Sequence, residues 1–181
     1  MLRSILFVGL LWFSSSSIAQ EINWVSLEKA VELQKKQPKK IIMDMYTVWC
    51  GPCKLLDKNT FGNSDVINYI NKHFYAVKFN AEGNETVNFK GNVFTNPNYD
   101  SNRAKSRNSQ HQLSSFFRVT GYPTMVFLDE NADFITPIVG YRNPQQLELY
   151  LKLFNSNNYK SLTTQEQFKA YSDNFKPTFN N

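Results

Sequence analysis

Apolar positions along the chain fall into two rhythms. Ile41-Ile42-Met43-Asp44-Met45-Tyr46 is a short, nearly continuous apolar run, the pattern of a strand covered on both faces. Tyr75 to Phe79 and Met125-Val126-Phe127-Leu128 read as further strands, and so does Phe134 to Val139, which follows an Asp129-Glu130-Asn131 turn. Elsewhere the spacing is helical. Leu27, Ala30, Val31 and Gln34 share a face behind Ser26, and Val66, Ile67, Ile70 and Phe74 share one behind Ser64 as cap. Gln110 to Val119 reads as a short helix. Asn143, Pro144 and Gln146 supply a cap, an N1 proline and an N3 glutamine for a helix carrying Leu147, Tyr150, Leu151 and Phe154. Thr164 and Gln167 predict a second capping box, with Phe168, Tyr171 and Phe175 on one face of a last helix.

This alternation predicts an α/β fold, a central mixed β-sheet flanked by helices on both faces. Residues 81–110 break the rhythm; they are polar and Asn-rich, with a hairpin-like piece from Val87 to Phe94. They are expected to be an inserted segment that caps a sheet edge or a groove rim. Residues 1–19 read as an export signal: Arg3, an apolar stretch from Ile5 to Phe13, then Ser17-Ile18-Ala19 as a small-x-small cleavage site. The apolar stretch is too short to span a bilayer, which takes about 20 residues. The expected layout is therefore a signal over 1–19, a domain over 20–155 and a C-terminal helical extension over 156–181.

Hydrophobic residues make up 41% of the 181, enough for one domain with a real core. The net charge is +5, but the basic residues (Lys35-Lys36, Lys39-Lys40, Arg103-Lys105-Arg107) form no long run. They read as a solvated surface and not as a nucleic-acid face. Cys50 and Cys53 are the only cysteines. A bridge between them closes so small a loop that it stabilises little, so its value is chemical. They stand between the first strand and a helical pattern opening at Lys54-Leu55-Leu56. Asp44 interrupts the strand; by pattern alone it is either an edge acid or a functional one. His73 and His111 lack the close spacing of a zinc site, so no metal is expected; surface or helix-end roles suit them.

The segment Trp49-Cys50-Gly51-Pro52-Cys53-Lys54 resembles the thioredoxin active site. Asp44 falls where thioredoxins carry a buried acid, and Lys78 where they have a lysine beside it. Tyr122-Pro123-Thr124 resembles the family's cis-proline segment, and Gly140 its late glycine. The match covers about residues 25–155, and the stretch after Cys53 is more similar to the exported thioredoxin-like domains of thiol–disulfide interchange proteins. One departure is Lys58, where thioredoxins place a proline; the other is the insertion at 81–110.

The resemblance implies a thioredoxin fold and an exported, periplasmic or secreted, thiol–disulfide oxidoreductase. Cys50, at a helix start, is the attacking thiolate, and Cys53 resolves the mixed disulfide. Asp44 takes up the Cys53 proton. Pro123 completes the catalytic set, while Trp49, Gly51, Pro52, Tyr122 and Thr124 frame the substrate. The redox-active pair stands in for a cofactor, and no other is expected. The Gly-Pro dipeptide resembles reducing thioredoxins, so disulfide-bearing proteins or thiols are the expected substrates. A membrane thiol carrier is the expected electron donor, and the protein itself a monomer. An oxidase or isomerase of the same fold, or a peptide-binding chaperone-like module, are the alternatives.

Overall fold

A computed structural model describes residues 20–181; the expected export signal lies outside the described residues. In chain order the elements are β1 (Trp24–Val25), α1 (Leu27–Gln34), β2 (Lys40–Tyr46), α2 (Gly51–Leu56), α3 (Ser64–His73), β3 (Phe74–Asn80), β4 (Val87–Phe89), β5 (Asn92–Phe94), α4 (Gln112–Phe116), β6 (Thr124–Leu128), β7 (Phe134–Val139), α5 (Pro144–Asn155) and α6 (Gln165–Asn174). One five-stranded sheet runs β1-β3-β2-β6-β7, and β4 and β5 form a separate two-stranded hairpin. β1, β3 and β2 are parallel; β6 lies antiparallel to β2, and β7 antiparallel to β6. This is the central mixed sheet of a thioredoxin fold.

β2 occupies the middle of the sheet, and its side chains alternate between two cores. Ile42 joins Ala76, Phe74, Met125 and Phe127 beneath α3 and α5 (Val66, Ile70, Leu147, Leu151). Ile41, Met43 and Met45 join Val77, Phe79, Val126 and Leu128 on the opposite face, with α1 and α4 (Leu27, Ala30, Leu113, Phe117). Asp44 has the same parity as Ile42 and so faces the α3–α5 side. In the parallel register Asp44 stands opposite Lys78 of β3.

Several local expectations meet physical corrections. The two-residue strand β1 is too short to show any period. The cap of α3 is Asn63, not Ser64: its side chain accepts from the N–H groups of Asp65 and Val66. α4 is shorter than the expected 110–119, because the His111 ring caps its start and Arg118 turns left-handed (φ 58°) just past its end. After α2 the backbone widens into a π-helical turn, Asp57–Phe61. Lys58, where the resemblance would put a proline, lies in that turn. Lys40, grouped with a solvated surface, is buried and pairs with Glu130 at 2.5 Å.

Both capping boxes form as the spacing predicts, at Asn143/Gln146 and Thr164/Gln167. The insertion leaves and rejoins the sheet at one place: Tyr46 C=O accepts from Ala81 N–H (2.7 Å), and Ala81 C=O accepts from His111 N–H (2.9 Å). At the C-terminus, α6 lays Phe168 and Tyr171 against the α5 core. The tail is then tied down by fully buried Glu148, whose carboxylate accepts from the N–H groups of Thr178 (2.7 Å) and Phe179 (2.9 Å) and pairs with Lys152.

Replacing Glu148 with alanine strands those two N–H groups and the Lys152 ammonium. The expected loss is roughly 2–3 kcal/mol in urea unfolding, with the chain beyond α6 becoming cleavable by protease. Unchanged stability and an uncut tail would show that the anchor carries no weight.

Candidate active site

The site forms where β2 ends and α2 begins, at the middle of the sheet. Cys50 is the N-cap residue of α2, and Pro52 lies in its first turn. Cys50 and Cys53 form a disulfide. The Cys53 N–H donates to Cys50 Sγ at 3.1 Å. In the dithiol form that N–H and the helix start favour negative charge on the Cys50 sulfur, which makes it the better thiolate. Both cysteines are nearly covered, Cys50 at 2% and Cys53 at 3% exposure. Position in the helix, not exposure, is therefore what distinguishes them. Gly51, Pro52 and Val48 around them are exposed.

Asp44 is no edge acid: it is 1% exposed. Its Oδ2 lies 3.5 Å from Lys78 Nζ, and its Oδ1 has no hydrogen-bond partner among the described residues. Burial pushes the Asp44 carboxyl up to about 7, against the pull of Lys78 and helped by the negative charge of Asp57. Lys78 also pairs with Asp57, one helical turn beyond Cys53, and its ammonium sits over the rings of Trp24 and Tyr46. A half-exposed carboxylate and a buried one thus share one lysine. Asp57 escaped sequence reasoning because a lone acid in a helical stretch carries no signal; its i+4 spacing from Cys53 is the clue that was available.

The aromatic frame beside the pair joins two segments, the Trp49 turn and the Tyr122–Pro123 turn. The Trp49 and Tyr122 rings meet edge to face, centroids 6.0 Å apart. The Tyr122–Pro123 peptide bond is cis, as the resemblance implies. The Pro123 carbonyl accepts from Gly140 N–H at 2.8 Å. Thr124 is fully buried, and its hydroxyl donates to the Gly121 carbonyl, so its side chain is occupied within the turn. Burial, with the charge of Glu82, pushes the Tyr122 hydroxyl up to about 12, so it stays protonated.

The insertion reaches this frame. Trp49 Nε1 donates to Glu82 Oε2 (2.7 Å), which also accepts the Asn108 N–H (2.8 Å). The Arg107 guanidinium lies 4.4 Å from the Trp49 ring centre. Residues 81–110 thus contact Trp49 through Glu82 and Arg107. The histidines stay apart from the cysteines. His111 is buried with both ring nitrogens occupied, one accepting from Leu113 N–H and the other against the Glu85 carbonyl. His73 ends α3 against Tyr69.

Comparison with known proteins agrees with this geometry. Residues 27–155 match the model of the thioredoxin-like domain, and the chain belongs to that family. It is 25% identical over 144 residues to the thiol:disulfide interchange protein DsbD of Pectobacterium atrosepticum, covering 78% of this chain and 20% of that protein. It is 28% identical over 153 residues to DsbD of Haemophilus ducreyi, covering 79% of this chain and 23% of that protein. The chain thus spans about a fifth of the length of the curated relatives it matches. A thioredoxin-fold protein from Helicobacter pylori superposes with a TM-score of 0.58 at 20% identity, over 75% of this chain and 81% of that one. Family and cysteine pair together define a thiol–disulfide oxidoreductase.

The buried acid gives a pH-dependent stability. With a folded pKa near 7 against an ordinary 3.8, Asp44 favours the fold while protonated. Stability falls as pH rises from about 4 and levels off above about 7. Asp44→Asn escapes this loss. Its gain over the parent in urea unfolding of the oxidised protein is expected to grow by about 2–3 kcal/mol between pH 5 and pH 8. A difference that does not vary with pH would place the charge of Asp44 elsewhere.

Proposed function

We propose that this protein reduces disulfides in exported proteins or thiols, working outside the cytoplasm as a monomer recharged by a membrane-embedded thiol carrier. The observation that carries the reading is the Cys50–Cys53 pair at the start of α2 with the Cys53 N–H on Cys50 Sγ. The Gly51-Pro52 dipeptide between the cysteines supports the reducing direction. Matches to interchange proteins support the exported setting.

The exchange runs in two displacements. The Cys50 thiolate attacks one sulfur of the substrate disulfide, forming a mixed disulfide and releasing the other sulfur as a thiolate that takes up a proton. The Cys53 thiol then gives its proton to the Asp44 carboxylate and attacks Cys50 Sγ. The second substrate sulfur leaves as a thiolate that takes up a proton, and the protein keeps the disulfide. Two electrons pass from the protein dithiol to the substrate. With its acid near 7, Asp44 can hold and return that proton at neutral pH, and Lys78 and Asp57 set its charge balance. Trp49, Gly51, Pro52, Tyr122 and Pro123 frame the receiving surface, and Thr124 acts through the turn it holds.

Equilibration with a dithiothreitol or glutathione buffer is expected to give a reduction potential near that of thioredoxin, about −270 mV. A value toward the strong oxidants of this fold, about −120 mV, would make the protein a disulfide donor or isomerase instead. Cys53→Ser is expected to accumulate a mixed disulfide through Cys50, visible by mass spectrometry, whereas Cys50→Ser gives none. In cells holding every membrane thiol carrier, a fully oxidised pool of the protein would defeat the recharging step.

A further inference from the structure

Arg103, Lys105 and Arg107 are all exposed, and no acid stands between residues 101 and 107. None of the three belongs to an ion pair among the described residues. Of the acids in the loop, Glu82 accepts from Trp49 and Asn108, Asp100 accepts from Asn102 N–H, and neither these nor Glu85 pairs with the three cations. Three cations at every second residue thus lie outside any salt bridge among the described residues, on the segment that touches Trp49.

The row is held in place. Asn108 Oδ1 accepts from Asp100 N–H, and Asn108 Nδ2 donates back to the Asp100 carbonyl. Buried Asn96 donates to the carbonyls of Gly83 and Ser109, closing the base of the loop. Arg107 then holds its guanidinium carbon over the ring of Trp49, the residue directly before Cys50 in the chain. Its N–H groups, which can pair with a carboxylate in two parallel hydrogen bonds, engage no carboxylate in an ion pair among the described residues. A loop ordered in advance loses little entropy on binding.

We propose that Arg103, Lys105 and Arg107 form a specificity surface that takes an acidic stretch of partner polypeptide flanking the disulfide that Cys50 attacks. The proposal builds on the oxidoreductase reading of Cys50 and Cys53 and names the partner chemistry of that site. A peptide is the fitting occupant because the row is short and its last member, Arg107, sits over Trp49, the residue before Cys50. Attachment to an anionic membrane draws on clusters of four to eight cations.

The test uses two disulfide-bridged peptides of equal length, one with Asp and Glu beside the disulfide and one with Lys. The readout is the ratio of their second-order rates with the reduced protein, so any general loss of reactivity cancels. The parent protein is expected to favour the acidic peptide roughly tenfold at low salt, with the ratio shrinking toward one at high salt. Substituting Arg103→Ser, Lys105→Ser and Arg107→Ser together brings the low-salt ratio near one, and Arg107→Glu pushes it below the parent value. Equal rates for the parent at low salt, or a ratio that the triple substitution leaves alone, overturn the proposal. So does equal reactivity combined with salt-sensitive capture by phosphatidylglycerol vesicles, which assigns the row to a membrane. If the cysteine pair proves oxidising, the same ratio is read on the dithiol peptides, so failure of the reducing direction is distinguished from failure of this surface.

Discussion

The double burial of β2 is the constraint on which the rest depends. A strand flanked by β3 on one side and β6 on the other, and covered on both faces, has no freedom of register. A slip of one residue would turn Ile41, Met43 and Met45 to the wrong core and carry Asp44 away from Lys78. Because the strand is fixed, the turn that follows it is fixed, and so is the place where α2 starts. The cysteines inherit their position from an apolar pattern that ends four residues earlier.

That arrangement has an electrostatic cost, concentrated at one residue. Asp44 sits where a methyl-bearing side chain would pack without penalty, and a single lysine shared with Asp57 does not offset its burial. The fold tolerates an acid held near neutrality because the remainder of the two cores is apolar and complete. A carboxyl group so placed changes charge within the pH range in which thiols are exchanged. The same burial that weakens the fold holds a carboxyl near neutrality in the strand that leads into the cysteine pair.

How much of this was legible in the sequence depends on range. Local signals read well: the β2 run, the Asn143 and Thr164 capping boxes, and the β4–β5 hairpin. Cys50 and Cys53 were legible as chemistry because so tight a loop has little other use. Asp44 was only half legible. Alternation tells which face a residue takes, but not what covers that face. Lys40 misled for the same reason, since its partner Glu130 lies on a distant turn. The π-helical turn and the two-residue β1 carry no period at all. Glu82 and Arg107 reach Trp49 from far along the chain, and no local pattern encodes such a meeting.

The excursion between Ala81 and His111 departs and returns across a single backbone hydrogen bond. Its two stems are neighbours, so the sheet would be closed by much the same geometry if the loop were shorter, longer or of another sequence. Within it, Val87 and Phe89 pack into the core that holds Ile41, Met43 and Met45, so only the exposed stretch 101–106 can drift without disturbing β2. For an engineer this makes residues 101–106 a cassette: a foreign loop grafted there would leave the core under β2 and the contacts to Trp49 as they are. For a lineage of such proteins that short stretch is where the sequence can change at least cost to the fold.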